Sequence, residues 1–375
     1  MSTFKPIKVG VMGFKNSHVS GMFDSMRANP MFDVVAVSLS PETRKQFEER
    51  YGDVDLFKKY DIFNDDEEMV KAHPELELCI CGGSNVEHIN QFRLCAERGI
   101  NVIMMKVPTL NMAEYDEMID LQRKTGIIVN IELEMRWYAA VERVKELIKD
   151  GVLGEVTSIT AYNYSHFPFW WNSWMNEPKE IYGSVVPLKN GCNRFRGGAL
   201  TDHPHLFDLM RYITESDFES VYAEVAPALR DAAVVEDMVY VVGKMKNGTI
   251  ISIDPSYANV EYKQPNFILA KDKLSHYPKA VQVEMSVCGT KGGIISDLYN
   301  PNTTEQLRFE DYEYRVNPRF YDISGTRRLF MEDYARAIRN KSIYKPQLSL
   351  ADHKKTMEVI NACYESICTG RTIKL

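Results

Sequence analysis

Ile7-Lys8-Val9-Gly10-Val11-Met12-Gly13-Phe14-Lys15-Asn16-Ser17-His18 joins an apolar run to a glycine turn and then to the start of an amphipathic segment. An apolar run of this length bounded by a glycine reads as a buried strand, and the segment after it reads as a helix. A full dinucleotide fingerprint, Gly-x-Gly-x-x-Gly, would begin at Gly13. Lys15 and His18 stand at its second and third glycine positions. The helix start nevertheless offers free N–H groups and a dipole to a diphosphate. Gly13, Phe14, Lys15, Asn16, Ser17 and His18 are therefore candidate nucleotide contacts.

The same alternation continues outward from this turn. Strands are expected at 7–12, 32–37, 61–63, 76–81, 102–105 and 127–131, with helices at 17–28, 41–51, 65–72, 86–98 and 111–125 between them. Strands separated by single helices need right-handed crossovers, which make a doubly wound parallel sheet. Ligands of such sheets sit at the carboxyl ends of the strands. That rule brings in Ser38, the turn Gly82-Gly83-Ser84-Asn85 and Lys106. An acid usually receives the ribose hydroxyls at the end of the second strand, and Ser38 stands there instead, so NAD and NADP both remain open, with NAD favoured.

The pattern changes after residue 131. A helix at 139–149 is followed by long alternating strands at 156–164, 221–226, 239–245, 250–255, 282–288 and 293–297, with Asn247-Gly248 as a hairpin turn. The fold class is thus α/β plus α+β. A Rossmann-like domain at 1–131 precedes an open-faced, mostly antiparallel sheet domain at 132–375. One face of that sheet is expected to be covered by a helix from Pro204 and by helices at 327–340 and 351–368. A cleft is expected between the two domains.

Inside the second domain, Gly197-Gly198-Ala199-Leu200-Thr201-Asp202-His203-Pro204-His205-Leu206-Phe207-Asp208 crowds two histidines and an acid. Pro204 suits the first position of a helix and pushes His203 toward an extended conformation. Leu206, Leu209, Met210 and Ile213 then form an apolar stripe, with His205, Asp208 and Tyr212 on another face. Asp202, His203 and His205, with His166, also have the chemistry of metal ligands, but no fourth ligand is evident and no metal is assigned. His166-Phe-Pro-Phe-Trp-Trp-Asn-Ser-Trp174 holds three of the four tryptophans, and aromatic faces beside polar tips suit a sugar.

The chain has 375 residues, 45% of them hydrophobic and 26% charged, with a net charge of −7. That composition is ordinary for a globular protein and argues against a nucleic-acid partner. No apolar run spans a membrane, and strand-forming residues begin too early for a signal peptide. The seven scattered cysteines read as reduced thiols of a cytoplasmic protein.

Several stretches together resemble the Gfo/Idh/MocA family of oxidoreductases. They are Ser84-Asn85-Val86-Glu87-His88, Gly99-Ile100-Asn101-Val102-Ile103-Met104-Met105-Lys106, Arg136-Trp137-Tyr138, Gly151-Val152-Leu153-Gly154-Glu155-Val156, the Gly197–Asp208 stretch and Tyr364-Glu365-Ser366-Ile367-Cys368-Thr369-Gly370-Arg371. The family's Glu-Lys-Pro motif becomes Met105-Lys106-Val107. Its Asp-x-Gly-x-His-x-x-Asp becomes Asp202-His203-Pro204-His205-x-x-Asp208, one residue short.

The resemblance implies hydride transfer between NAD(P) and a ring alcohol of a sugar, inositol or glycoside. It makes His205 the acid/base, Lys106 the clamp on the substrate oxygen, and Asp202 or Asp208 the partner of the imidazole. His88 joins the cofactor contacts. Lys106, Arg136, Trp137, His166, Trp170, Asp202, His203 and His205 line the substrate site. A dimer or tetramer through the bare sheet face is expected. The alternatives are a redox-neutral enzyme with a retained dinucleotide and a non-catalytic sugar or dinucleotide sensor.

Overall fold

The computed structural model describes residues 5–16, 18–51, 59–165, 187–188, 195–227, 234–257, 281–298, 302–308, 312–318, 323–340 and 348–375. They divide into two compact units, Met1–Glu134 with Ser324–Lys354 and Met135–Ile323 with Lys355–Leu375.

In the first unit, β1 (Ile7–Met12), β2 (Phe32–Ser38), β3 (Asp61–Phe63), β4 (Leu78–Cys81), β5 (Asn101–Met104) and β6 (Val129–Ile131) form a parallel sheet in the order β3-β2-β1-β4-β5-β6. The order reverses between β1 and β4, which is where a doubly wound sheet opens a crevice at its carboxyl edge. Every residue of β4, β5 and β6 is buried, as strands covered on both faces must be. The crossovers are α1 (His18–Arg27), α2 (Pro41–Tyr51), α3 (Asp66–Ala72), α4 (His88–Glu97) and α5 (Met112–Thr125).

Helix α1 turns Val19, Met22, Phe23 and Met26 inward. Phe23 packs edge-on against Phe47, Tyr51 and Tyr60 at 5.6, 5.2 and 5.3 Å. Burying one such side chain is worth about 1.5–3 kcal/mol. Asp65 and Asn111 start α3 and α5 by accepting the N–H groups of Glu68 and Ala113. Strand β4 begins at Leu78 rather than 76, because the Leu76 N–H is used in a turn to the His73 carbonyl.

The helix expected at 327–340 is α9 in the full helix order (Ile323–Arg339), and from Ser324 it belongs to the first unit, not to the second sheet. The Tyr334 hydroxyl lies 2.7 and 2.6 Å from the carbonyl oxygens of Val102 and Ile128. Arg339 holds both carboxylate oxygens of Glu77 at 2.6 and 3.1 Å. An apolar stripe says that a helix covers a sheet without saying which one.

The second unit is built on a nine-stranded sheet. Its strands are β7 (Val156–Ser165), β8 (Phe218–Val225), β9 (Val239–Met245), β10 (Ile250–Asp254), β11 (Val281–Gly289), β12 (Gly292–Asp297), β13 (Asn302–Arg308), β14 (Tyr312–Pro318) and β15 (Ile373–Lys374). All pairs are antiparallel except β7 with β10. The Asn247-Gly248 turn joins β9 to β10 as expected.

Strands β13, β14 and β15 were not anticipated. β13 reads Asn-Thr-Thr-Glu-Gln-Leu-Arg, too polar to reveal a strand by its apolar content. In β9, Val239, Val241 and Met245 face inward while Tyr240 and Val242 are 47% and 52% exposed. Ile250 and Ile295 are 46% and 49% exposed. Helices α6 (Ala139–Lys149), α7 (Ala199–Asp202), α8 (Pro204–Thr214) and most of α10 (Leu350–Thr369) complete this unit.

Candidate active site

The first unit assembles the turns at the carboxyl ends of β1, β4 and β5. Gly13 has φ of +71°, and an added Cβ would meet the Gly83 backbone at 3.2 Å, so this turn needs glycine for both conformation and space. The Gly13 and Asn16 N–H groups donate to the carbonyls of Ser38 (2.9 Å) and Gly82 (3.2 Å). The side chain of Asn16 then bridges two segments. Its Oδ1 accepts the His18 N–H at 3.0 Å, and its Nδ2 donates to the Lys106 carbonyl at 3.1 Å. Asn85 Nδ2 donates to the neighbouring Val107 carbonyl. Lys106, two residues past β5, is 2% exposed. The structure thus brings Gly13, Asn16, Gly82, Gly83, Asn85 and Lys106 together.

Four expected contacts have partners within the protein. Phe14 packs its ring on Phe23 and Phe47 at 5.6 and 5.0 Å, so its side chain serves the aromatic core. His88 is fully buried and donates Nδ1–H to the Pro108 carbonyl at 3.1 Å; burial lowers it to about 4, leaving a neutral ring that fixes a loop. Ser38 donates its hydroxyl to the Asp66 carboxylate. Asp66 also accepts from Gln91 at 2.9 Å. Burial raises the Asp66 carboxyl, while the hydrogen bonds from Ser38 and Gln91 pull it back. The fourth, Lys15, is not bare: it pairs with Glu87 at 2.6 Å, and Glu87 accepts the N–H and hydroxyl of Ser84 at 2.7 and 2.8 Å. Ser17 lies outside the described residues.

A charged cluster at the same edge was missed in the sequence. His18 Nδ1 lies 2.9 and 3.1 Å from the two oxygens of Glu132, whose side chain is wholly buried. Arg327 lies 4.0 Å from Glu132 and 3.6 Å from Glu134. Burial pushes Glu132 up, but the charge and hydrogen bond of His18 and the charge of Arg327 outweigh it and hold the carboxyl low. Burial and the Glu132 charge push Glu134 the other way, upward. Two acids directly after the last apolar strand were the available signal.

The residues of this unit suit a nicotinamide dinucleotide. Glycine turns at the switch point lie beside the start of α1, and Asn85, 2% exposed, carries a buried Oδ1 with no hydrogen-bond partner. Such an oxygen is an acceptor awaiting a donor such as a ribose hydroxyl.

In the second unit, the one-turn helix α7 is suspended from a buried carboxylate. Glu236 accepts the N–H groups of Gly198 (3.0 Å) and Leu200 (3.2 Å) and the hydroxyl of Tyr364 (2.7 Å). Tyr364 also accepts the Gly197 N–H at 3.0 Å and lies 2.8 Å from Thr201 Oγ1. Burial raises Glu236 to about 7 despite these donors. A Cβ at Gly198 would stand 1.9 Å from the Glu236 carbonyl oxygen, so only glycine fits.

Asp202 ends α7, 6% exposed, and accepts the Tyr257 hydroxyl at 2.8 Å. His203 follows at φ −112° and ψ 50°, short of the extended conformation expected before proline. Its Nδ1–H donates to the Pro255 carbonyl, while Nε2 lies 3.1 Å from Ser165 Oγ and 3.6 Å from Asp202. His203 is thereby tied on both nitrogens. His205 sits in the first turn of α8, 5% exposed.

Two of the expected site residues pair with each other here. Asp208, expected as a partner of the imidazole, is clasped by Arg136 through Nε at 2.7 Å and Nη2 at 2.6 Å. Arg136, expected to line the substrate site, is 3% exposed and lies 4.9 Å above the Tyr212 ring. A buried carboxylate and a buried guanidinium each require the other. The face of α8 carrying His205 and Asp208 is buried, not solvated. Trp137 is 8% exposed. His166, Trp170 and the rest of that aromatic run lie outside the described residues. Among the described residues no cluster of histidine, cysteine and acids is arranged to hold a metal, and no helix is long and apolar enough to cross a membrane.

Comparison with known proteins agrees with this architecture. Residues 141–295 match the model of the GFO/IDH/MocA C-terminal domain. The myo-inositol 2-dehydrogenase of Thermotoga maritima is 22% identical over 377 residues, covering 98% of both chains. The D-glucoside 3-dehydrogenase of Escherichia coli is 22% identical over 392 residues, covering 100% of this chain and 99% of the relative. Levoglucosan dehydrogenase in complex with NADH superposes with a TM-score of 0.78 at 18% identity, over 99% of each chain. GenD2 from gentamicin A biosynthesis, in complex with NAD, does so with a TM-score of 0.75 at 17% identity, over 100% and 98%. With the parallel sheet, the open antiparallel sheet and the match over residues 141–295, the chain is similar to the Gfo/Idh/MocA oxidoreductases.

Proposed function

We propose that the protein is an NAD(P)-dependent dehydrogenase that interconverts a ring secondary alcohol and ketone of a sugar, inositol or glycoside. The observation that carries this reading is the tie of Lys106 to the nucleotide turn through Asn16. The names of the full-length relatives, an inositol and a glucoside dehydrogenase, support the substrate class.

When bound, a nicotinamide dinucleotide would supply the acceptor for hydride from the carbinol carbon. Gly13, Asn16, Gly82, Gly83, Ser84 and Asn85 would hold it, with Lys106 beside it. The Lys106 ammonium stabilises negative charge growing on the substrate oxygen. His205 takes the hydroxyl proton, a task suited to a side chain that changes charge near neutrality. Asp202, steadied by the Tyr257 hydroxyl, supplies the negative charge that favours the imidazolium. Asp66, the first residue of α3, accepts the Ser38 hydroxyl at the end of β2, stands in for the acid missing there, and favours NAD over NADP by repelling a 2′-phosphate.

The exposed Tyr240, Val242, Ile250 and Ile295 on the second sheet suit burial against another copy of the chain, giving a dimer or tetramer. The test is reduction of NAD or NADP by a panel of cyclic polyols, hexoses and glycosides. Turnover with at least one substrate is expected, falling by roughly 100-fold or more in His205→Ala and in Lys106→Ala. Full activity in either variant would sink the assignment.

A further inference from the structure

His18 stands where the fingerprint would have its third glycine, at the first residue of α1. It is not an isolated side chain. Its Nδ1 is engaged by the Glu132 carboxylate at 2.9 and 3.1 Å, so the other ring nitrogen, Nε2, lies on the opposite edge of a side chain that is 25% exposed. A carboxylate accepting from one nitrogen fixes the orientation of the ring. The carboxylate is built in: Glu132 is fully buried on the segment after β6.

The charged groups behind it come from two later segments of the chain. Glu132 faces His18, and Arg327 from α9 stands against Glu132 and Glu134. The buried Glu134 Oε2 has no hydrogen-bond partner. On the turn of His18 itself, Lys15 is already paired with Glu87. Glu132 thus lies between His18 and Arg327, Glu134 faces Arg327 as well, and the positive end of α1 lies beside His18.

We propose that His18 replaces the lost glycine as a donor, giving Nε2–H to the diphosphate of the dinucleotide, with Glu132 as the positioning residue that keeps the ring oriented. A glycine at this place lets a phosphate approach the backbone; an imidazole N–H reaches out to it instead. The inference rests on the dinucleotide reading above.

The test is binding of NADH and NADPH, followed by nucleotide fluorescence and by calorimetry in two buffers of different ionisation enthalpy. His18→Gln is expected to weaken binding by roughly tenfold or more, the loss of a charge-assisted hydrogen bond. At mildly alkaline pH the wild-type protein is expected to take up protons on binding. His18→Gln abolishes that uptake, and Glu132→Gln reduces both affinity and uptake. His18→Lys guards against misfolding: it retains most of the affinity, because a donor remains, but takes up no proton. Unchanged affinity or unchanged proton uptake in His18→Gln overturns the inference while leaving the dinucleotide reading intact. Failure of the wild-type protein to bind either nucleotide refutes that reading, and this one with it.

Discussion

Removing the carboxylate of Asp208 tests whether it serves stability or chemistry. Its side chain is 1% exposed and that of Arg136 is 4% exposed, and two hydrogen bonds of 2.7 and 2.6 Å join them in a forked pair. The guanidinium also lies 4.9 Å over the Tyr212 ring, whose hydroxyl donates to Glu142 at 2.6 Å on α6. Asp208→Ala leaves the guanidinium buried without its counter-ion, a loss of about 3–5 kcal/mol. That is a large share of the 5–15 kcal/mol that ordinarily separates folded from unfolded states. Replacing both partners by apolar residues, Arg136→Met with Asp208→Leu, costs far less, because no charge is stranded. Urea unfolding of the four proteins of this cycle gives the coupling directly, with the strongest destabilisation in the single variants. Under conditions where Asp208→Asn is folded, its turnover is expected to stay within about tenfold of wild type, well above that of His205→Ala. Asp208→Ala within about 1 kcal/mol of wild-type stability would refute the buried-pair reasoning.

Two further outcomes follow from buried acids. Glu236 titrates at about 7 in the folded protein against 4.5 ordinarily. Between those values the folded state binds more protons than the unfolded one, so stability falls as pH rises through this window, by up to about 3 kcal/mol. Glu236→Gln is expected to flatten that part of the profile, measured as urea midpoints across the window; parallel profiles would contradict it. Asp66→Asn removes the charge beside Ser38 and is expected to raise the NADP-to-NAD ratio of kcat/KM, whereas an unchanged ratio would detach Asp66 from cofactor choice.

Much of the first unit was legible because its strands are short apolar runs and its helices carry their own punctuation. Asn111 and Gly126 bound α5 as the sequence suggests, and Pro204 opens α8. What escaped reading was partnership across long separations. Nothing local to Ser38 reveals that Asp66 will take its hydroxyl, and nothing local to Asp208 reveals Arg136. Glu236 and Tyr364 are 128 residues apart, yet together they hold the segment that carries Asp202. The strands β13 and β14 were missed for a different reason: polar strands depend on their neighbours for register and carry little pattern of their own.

The attachment of α9 to the first unit sets the order of events when the chain is made. The carbonyls of Val102 and Ile128 meet the Tyr334 hydroxyl across 232 and 206 residues, and Glu77 meets Arg339 across 262. At about 5–20 residues per second, a ribosome needs roughly 10 s or more to supply the missing helix. Until then the nascent six-stranded sheet lacks one of its covers, and residues Met135–Ile323 of the second unit emerge in the interval. Maturation of the first unit is therefore a closing act of synthesis, and a chain stopped before residue 339 forfeits both ends of its architecture at once.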